Sequence, residues 1–159
     1  MHPQNHVPPL KIAFTRLDPQ RHRVSIVRPD GSAESRDLET RSFLLHDLIH
    51  YAVESEAGVR TGFYGTLAAG AGFAASEPLD GDRLVIEQIV GAFTGALKET
   101  PPPAPESLVA AVSAFIAATG GRAPTWLTTD YVVAVRRRLR EVEGTWRATP
   151  FGETMQLEF

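Results

Sequence analysis

The chain of 159 residues contains no cysteine. This absence excludes disulfide bridges, thiolate metal ligands and cysteine nucleophiles. The chain also lacks any apolar run near the roughly 18 residues that a membrane-spanning helix needs. Positive charge is not in excess either, since the formal net charge is −3 and the isoelectric point is near 5.9. We therefore expect no membrane insertion and no nucleic-acid binding, which requires a basic surface.

The first nine residues are rich in proline and lack the charged and apolar regions of a secretory signal. We expect residues 1–9 to form a flexible arm. The chain as a whole has 43% hydrophobic and 22% charged residues, which is ordinary for a globular protein. We therefore predict a single domain over residues 10–159 and a cytoplasmic location.

Both ends of this region have the alternating pattern of β-strands. Three short strands are predicted near residues 10–14, 22–27 and 33–38, separated by turn sequences that contain proline, aspartate and glycine. At the other end, residues 145–149 and 154–159 alternate around a Pro-Phe-Gly turn, which predicts a C-terminal hairpin. The sequence thus predicts an antiparallel sheet built from an N-terminal meander and a C-terminal hairpin.

The middle of the chain has helical periodicity, which predicts four to five helices. Ser42 is the expected N-cap of the first helix and Gly58 its C-terminal stop. Further helices are expected near residues 63–69, 80–98, 105–119 and 125–143. Strands at both ends with helices between them indicate an α+β domain, with the helices packed on one side of the sheet.

The first helix carries the sequence His46-Asp-Leu-Ile-His50. Two histidines four residues apart project from one face of a helix about one turn from each other. The spacing is that of the zinc-peptidase motif, with Asp47 in the place of glutamate. No lysine or arginine occurs between Arg41 and Arg60, so the polar stripe of this helix is not a mixed-charge solvated face. The pattern indicates a divalent-metal site, for which we expect zinc.

A third ligand must come from another part of the chain. Glu87 is the preferred candidate because it is flanked by apolar residues, and Glu77, Asp80 and Asp82 are alternatives. Glu54 is about 12 Å from His46 along the helix axis, too far to share the ion, so we expect it to bond to His50 or to belong to another site. Asp47 corresponds to the general base of the peptidase motif. If the protein is an enzyme, Asp47 or Glu54 would handle protons in metal-assisted hydrolysis.

Two other interpretations remain open. In the first, the histidines are structural and the protein is a non-catalytic dimerisation or interaction module; Gly91 and Gly95 would then mark a close helix contact, within the core or across a dimer. In the second, the protein is an anion-responsive regulator that uses the arginines of the fifth helix, Arg136, Arg137, Arg138 and Arg140. The glycine-rich segment 62–72 fits either turns and close helix packing or a lid near the histidines.

The segments His46-Asp-Leu-Ile-His-Tyr-Ala-Val-Glu54 and Gly62-Phe-Tyr-Gly-Thr-Leu-Ala-Ala-Gly70 resemble an uncharacterised family of small bacterial proteins. The likeness extends to Trp146-Arg-Ala-Thr-Pro150 and so spans most of the chain. It implies a bacterial cytoplasmic origin. It implies no activity, because none is established for that family.

Overall fold

The computed structural model describes residues 7–76 and 78–159, and within them a four-stranded antiparallel sheet and five helices. The strand order is β3-β2-β1-β4. The strands are β1 (Lys11–Arg16), β2 (Arg21–Val27), β3 (Ala33–Glu39) and β4 (Thr154–Glu158). The helices are α1 (Thr40–Ala57), α2 (Phe63–Ala68), α3 (Gly81–Ala96), α4 (Pro105–Ala118) and α5 (Thr129–Ala148). The predicted α+β architecture with an N-terminal meander is confirmed.

The turns of the meander are held by aspartate side chains. Asp18 Oδ1 accepts the backbone N–H groups of Gln20 and Arg21, both at 2.8 Å, and closes the β1–β2 turn. In the β2–β3 turn, Asp30 Oδ1 accepts the N–H of Ser32 at 2.9 Å, and Gly31 has a φ of 86°. Glycine adopts such a left-handed conformation without steric cost.

One face of the sheet forms part of the core. Phe14 lies between Val24 of β2 and Met155 of β4 in the strand register, and all three are buried. Ile12 and Ile26 form the next pair along the same face. Because successive residues of a strand point to opposite faces, this alternation directs the apolar side chains towards the helices.

The C-terminal hairpin is a correction to the sequence prediction. Residues 145–148 continue α5, and β4 is the one C-terminal strand, paired with β1. Residues 145–148 are helical because they extend the apolar face of α5. Val135, Leu139, Val142 and Trp146 recur at helical spacing along that face and are all buried. The alternating pattern that predicts a strand covers only residues 145–149, whereas the buried helical pattern runs along the whole second half of α5.

The start of α1 also differs from the prediction. The helix begins at Thr40, directly after β3, so Ser42 lies in its first turn and is not the N-cap. The Ser42 hydroxyl instead donates to the Glu39 carboxylate at 2.9 Å. The C-terminal stop is confirmed, because Gly58 has a φ of 65° and its N–H donates to the Ser55 carbonyl.

Helix α1 is the central element of the molecule. It contacts β2 and β3 on one side and α2, α3 and α5 on the others, while α4 packs on α3 and α5. Hydroxyl groups attach it to its neighbours: Tyr64 donates to the Asp47 carbonyl at 3.1 Å, and Tyr131 donates to the Val53 carbonyl at 2.8 Å. The position of α1 therefore fixes the side chains of the histidine motif.

The predicted N-terminal arm falls partly outside the structure, since residues 1–6 are not among the described residues. Val7 is 70% exposed, whereas Leu10 is fully buried and bonds to Phe159. The boundary between an arm of residues 1–9 and a domain of residues 10–159 stays a prediction. Across the two described ranges, no helix combines the length and hydropathy needed to cross a bilayer.

Candidate metal centre

His50 lies buried between two carboxylates. Its Nδ1 is 2.9 Å from Glu54 Oε2, and its Nε2 is 3.2 Å from Glu87 Oε1. The first contact joins two residues one turn apart on α1, and the second joins α1 to α3. The expected bond between Glu54 and His50 is confirmed.

Glu54 is itself held in place by the start of α2. Its side chain is fully buried. Its carboxylate accepts the backbone N–H groups of Phe63 and Tyr64, each at 3.0 Å, and of Gly65 at 3.3 Å. These amides are the first orphan donors of a helix, which a carboxylate satisfies well. With the bond from His50, both Glu54 oxygens are fully engaged.

Two glycines permit this arrangement. A Cβ at Gly62 would collide with the carboxylate of Glu54, and a Cβ at Gly65 would collide with the backbone of Arg60. Close packing therefore accounts for both residues, as one of the two interpretations of the glycine-rich segment expected. The short helix α2 consequently sits directly on the Glu54 side chain.

His46 and Glu87 complete the group and are more accessible. The side chain of His46 is 50% exposed and that of Glu87 is 35% exposed. The imidazole rings of His46 and His50 are 4.7 Å apart between centroids. One ligand atom from each of the three residues lies within 4.8 Å of the others. His46, His50 and Glu87 could therefore hold a metal ion.

Two of the alternative third ligands, Asp80 and Asp82, are not part of this cluster. Among the described residues, the group that meets the geometry of a metal site consists of His46, His50 and Glu87. Asp80 and Asp82 lie at the exposed start of α3, and Glu77 is outside the described residues. The preference for Glu87 matches the observed arrangement, because Glu87 lies nearly two turns into α3, where the helix passes α1.

Asp47 is placed differently from Glu54. It is 4% exposed, its Oδ1 is 3.8 Å from His46 Nδ1, and its Oδ2 has no hydrogen-bond partner. Its charge also acts on His22 of β2, where burial lowers the imidazole pKa and Asp47 partly opposes that effect. Asp47 thus lies between His46 and the inner side of the sheet.

The two carboxylates change the protonation of His50. Burial alone would lower its pKa, but the hydrogen bonds to Glu54 and Glu87 outweigh burial and raise the pKa to about 9. In turn, the hydrogen bond from His50 holds the pKa of Glu87 below its ordinary value despite partial burial. Without a metal, His50 is therefore a cation at neutral pH, and a bound ion would replace its proton.

The arginines of α5 have structural contacts. Arg138 forms an ion pair with Glu56 of α1 and lies over the ring of Tyr51. Arg136 donates to the carbonyl of Pro103 at 2.8 Å. These contacts attach α5 to α1 and to the segment before α4. Two of the four arginines of the predicted anion site therefore already bond to other parts of the chain.

Gly91 and Gly95 do not mark a close helix contact in the core, so this part of the prediction is wrong. A Cβ at either glycine would meet nothing within 4 Å. Helices α3 and α4 do pack together, but an open groove lies over the two glycines instead of a tight crossing. No sequence pattern indicated this groove, because small residues at helical spacing are equally typical of a helix contact.

The chain matches no protein-family model, and no curated protein and no solved structure is significantly similar to it. The resemblance to an uncharacterised bacterial family therefore stays a prediction.

Proposed function

We propose that this protein binds one divalent metal ion, zinc in the first instance, through His46, His50 and Glu87, and uses it in hydrolysis. The observation that supports the proposal is the engagement of His50 on both nitrogens. Its Nδ1 is held by the fixed carboxylate of Glu54, and its Nε2 is directed at Glu87. Metal-binding histidines typically donate their second ring N–H to a carboxylate in this way.

The ligand set suits a catalytic ion. Three protein ligands of nitrogen and oxygen type leave a fourth position for water or substrate, and the exposure of His46 and Glu87 leaves the site accessible from solvent. A divalent ion would supply Lewis acidity and activate water at neutral pH. In the reaction, the water oxygen would bond to an acyl carbon and the bond from that carbon to its leaving group would break. One water proton would pass to the leaving group and the other would remain with the carboxylic acid product.

The two other acids have different parts in this proposal. Glu54 positions His50, because both of its oxygens are occupied by hydrogen bonds. Asp47 is the candidate proton carrier, because its Oδ2 has no partner and its carboxylate lies beside His46.

Zinc titration of protein purified without a histidine tag and treated with chelator tests the proposal. We expect one ion per chain, with the affinity lowered at least about tenfold in His46→Ala and in Glu87→Gln because each loses a ligand. Asp82→Asn is the matched control, since Asp82 lies exposed on the same helix and outside the cluster. Wild-type protein that takes up neither zinc, manganese nor iron would contradict the proposal.

A second candidate function is a non-catalytic interaction module in which the histidines are structural. It is favoured by the ion pairs of His50, which already join α1 to Glu87 of α3 and, through Glu54, to the start of α2. A failed metal titration would leave this candidate standing.

A further inference from the structure

An apolar groove runs between α3 and α4. Its volume is about 560 Å³, within the range of small-molecule sites. Its interior is lined by residues at helical spacing from both helices: Gln88, Gly91, Ala92 and Gly95 from α3, and Val112 and Phe115 from α4. Phe115 forms an exposed wall, since 55% of its surface is accessible.

Gly91 and Gly95 give the groove its depth. Neither is required by close packing, because a Cβ at either position would meet nothing within 4 Å. Neither has the positive φ that would demand glycine. Each still weakens the helix relative to alanine. What distinguishes both from Gly144, which is equally uncrowded, is that they line the groove, where their bare backbone leaves room for a bound molecule.

The groove leads to the candidate metal centre. Glu87 lines the groove and also belongs to the cluster with His46 and His50. From Glu87 to Gly95, α3 rises about 12 Å. The groove therefore extends about two helical turns away from the position of the ion.

The charges of the groove select its occupant. The interior is apolar, and carboxylates stand in its lining at Glu87 and, beyond Gly95, at Glu99. A divalent ion held by Glu87 and two neutral histidines would carry a net positive charge at the first end. Glu99 would repel an anionic group at the other. The complementary molecule has an anionic or strongly polar head and an uncharged tail.

From these observations we infer that the α3–α4 groove binds the aliphatic acyl chain of a substrate whose carbonyl reaches the metal ion. This inference rests on the proposed metal-dependent hydrolysis and assigns its substrate class, an amide or ester of an aliphatic acid. The bond to the leaving group lies at the metal ion, and the tail lies over Gly91 and Gly95.

Two hydroxamates serve as probes of the zinc-loaded protein. Octanohydroxamate and acetohydroxamate share a metal-binding head and differ by six methylenes, each of which strengthens binding by about fourfold when fully buried. The groove is open on one side, so we expect octanohydroxamate to bind at least about 100-fold more tightly. Calorimetry measures both affinities, and a prior zinc titration of the same sample reports the metal site separately.

Variants that fill the groove provide the second arm. We expect Gly91→Leu and Gly95→Leu to lower the affinity for octanohydroxamate at least about tenfold while zinc and acetohydroxamate bind as before. Gly144→Leu is the matched control, since Gly144 is an exposed helical glycine of α5 with equally open space and lies outside the groove. Phe115→Ala removes the exposed wall and should weaken octanohydroxamate alone.

The outcomes separate the two proposals. Equal affinity for both hydroxamates in protein that binds zinc would overturn the acyl groove and leave the metal centre intact. Protein that binds no zinc would remove the proposed function and the groove's assigned substrate together. A dimer in light scattering that Gly91→Leu dissociates would also overturn the inference, because a second copy would then occupy the groove.

Discussion

His50 shows how a single residue on α1 combines burial with charge. It is almost fully buried, yet a cation is favoured at this position because Glu54 and Glu87 both accept from its ring. A cation between two acids contributes to stability only while it keeps its proton. The arrangement therefore makes the metal-free protein sensitive to pH above neutrality.

In metal-free protein we expect the His50 contribution to be complete below about pH 6.5 and to disappear as pH rises through the folded-state pKa of about 9. The sign follows because the folded state binds the proton more tightly than the unfolded state. The loss should be roughly 3 kcal/mol in the free energy of unfolding, since each unit of pKa shift corresponds to about 1.4 kcal/mol. Urea titrations from pH 6 to 9.5 measure it, with His50→Gln as the reference. Parallel pH curves for the two proteins would contradict the raised pKa.

At the scale of elements, the junction of α1 and α2 is the most constrained part of the site. The N-terminal amides of α2 and the Glu54 carboxylate of α1 approach so closely that no side chain fits at Gly62. The φ of Gly62 is −88°, so packing rather than backbone conformation requires glycine there.

Gly62→Ala should therefore destabilise the protein by about 1–3 kcal/mol, because the added methyl must displace a buried carboxylate or move α2. Gly144→Ala, in open space on α5, should instead be neutral or stabilising by up to about 1 kcal/mol. Thermal and urea unfolding measure both. We also expect Gly62→Ala to weaken zinc binding, since Glu54 holds His50. Equal stability of the two variants would show that the junction adapts freely.

Sequence patterns predicted the elements that local chemistry determines. The aspartate turns of the meander, the Gly58 stop and the pairing of Glu54 with His50 all depend on residues close together in the chain. The C-terminal boundary of α5 was missed because burial of Trp146 against the sheet side depends on distant residues. The sequence also does not predict the bonds of Glu54 to α2. They come from backbone N–H groups, which no residue type in the sequence marks.

At the scale of the whole molecule, the first strand and the last strand of the chain pair with each other. Strand β4 pairs with β1 more than a hundred residues away, and Leu10 and Phe159 exchange two backbone hydrogen bonds of 2.9 Å. The sheet formed in this way supports α1, and α1 supports the histidines and Glu54. The candidate metal centre thus depends on β4 although no residue of β4 belongs to it.

This dependence predicts that the domain of residues 10–159 unfolds as one unit. Met155 of β4 is 2% exposed and lies beside Phe14 in the register, so Met155→Ala should lower the free energy of unfolding by about 2–5 kcal/mol. Urea unfolding would be followed by tryptophan fluorescence, which reports Trp146 of α5 and Trp126 just before it, and by the absorption of cobalt bound in place of zinc. In a cooperative domain both signals shift to the same lower midpoint.

Leu157→Ala, on the same face but less buried, should shift both midpoints by a smaller amount. A cobalt signal that keeps its wild-type midpoint while the fluorescence midpoint falls would show that the metal centre is stabilised independently of the sheet.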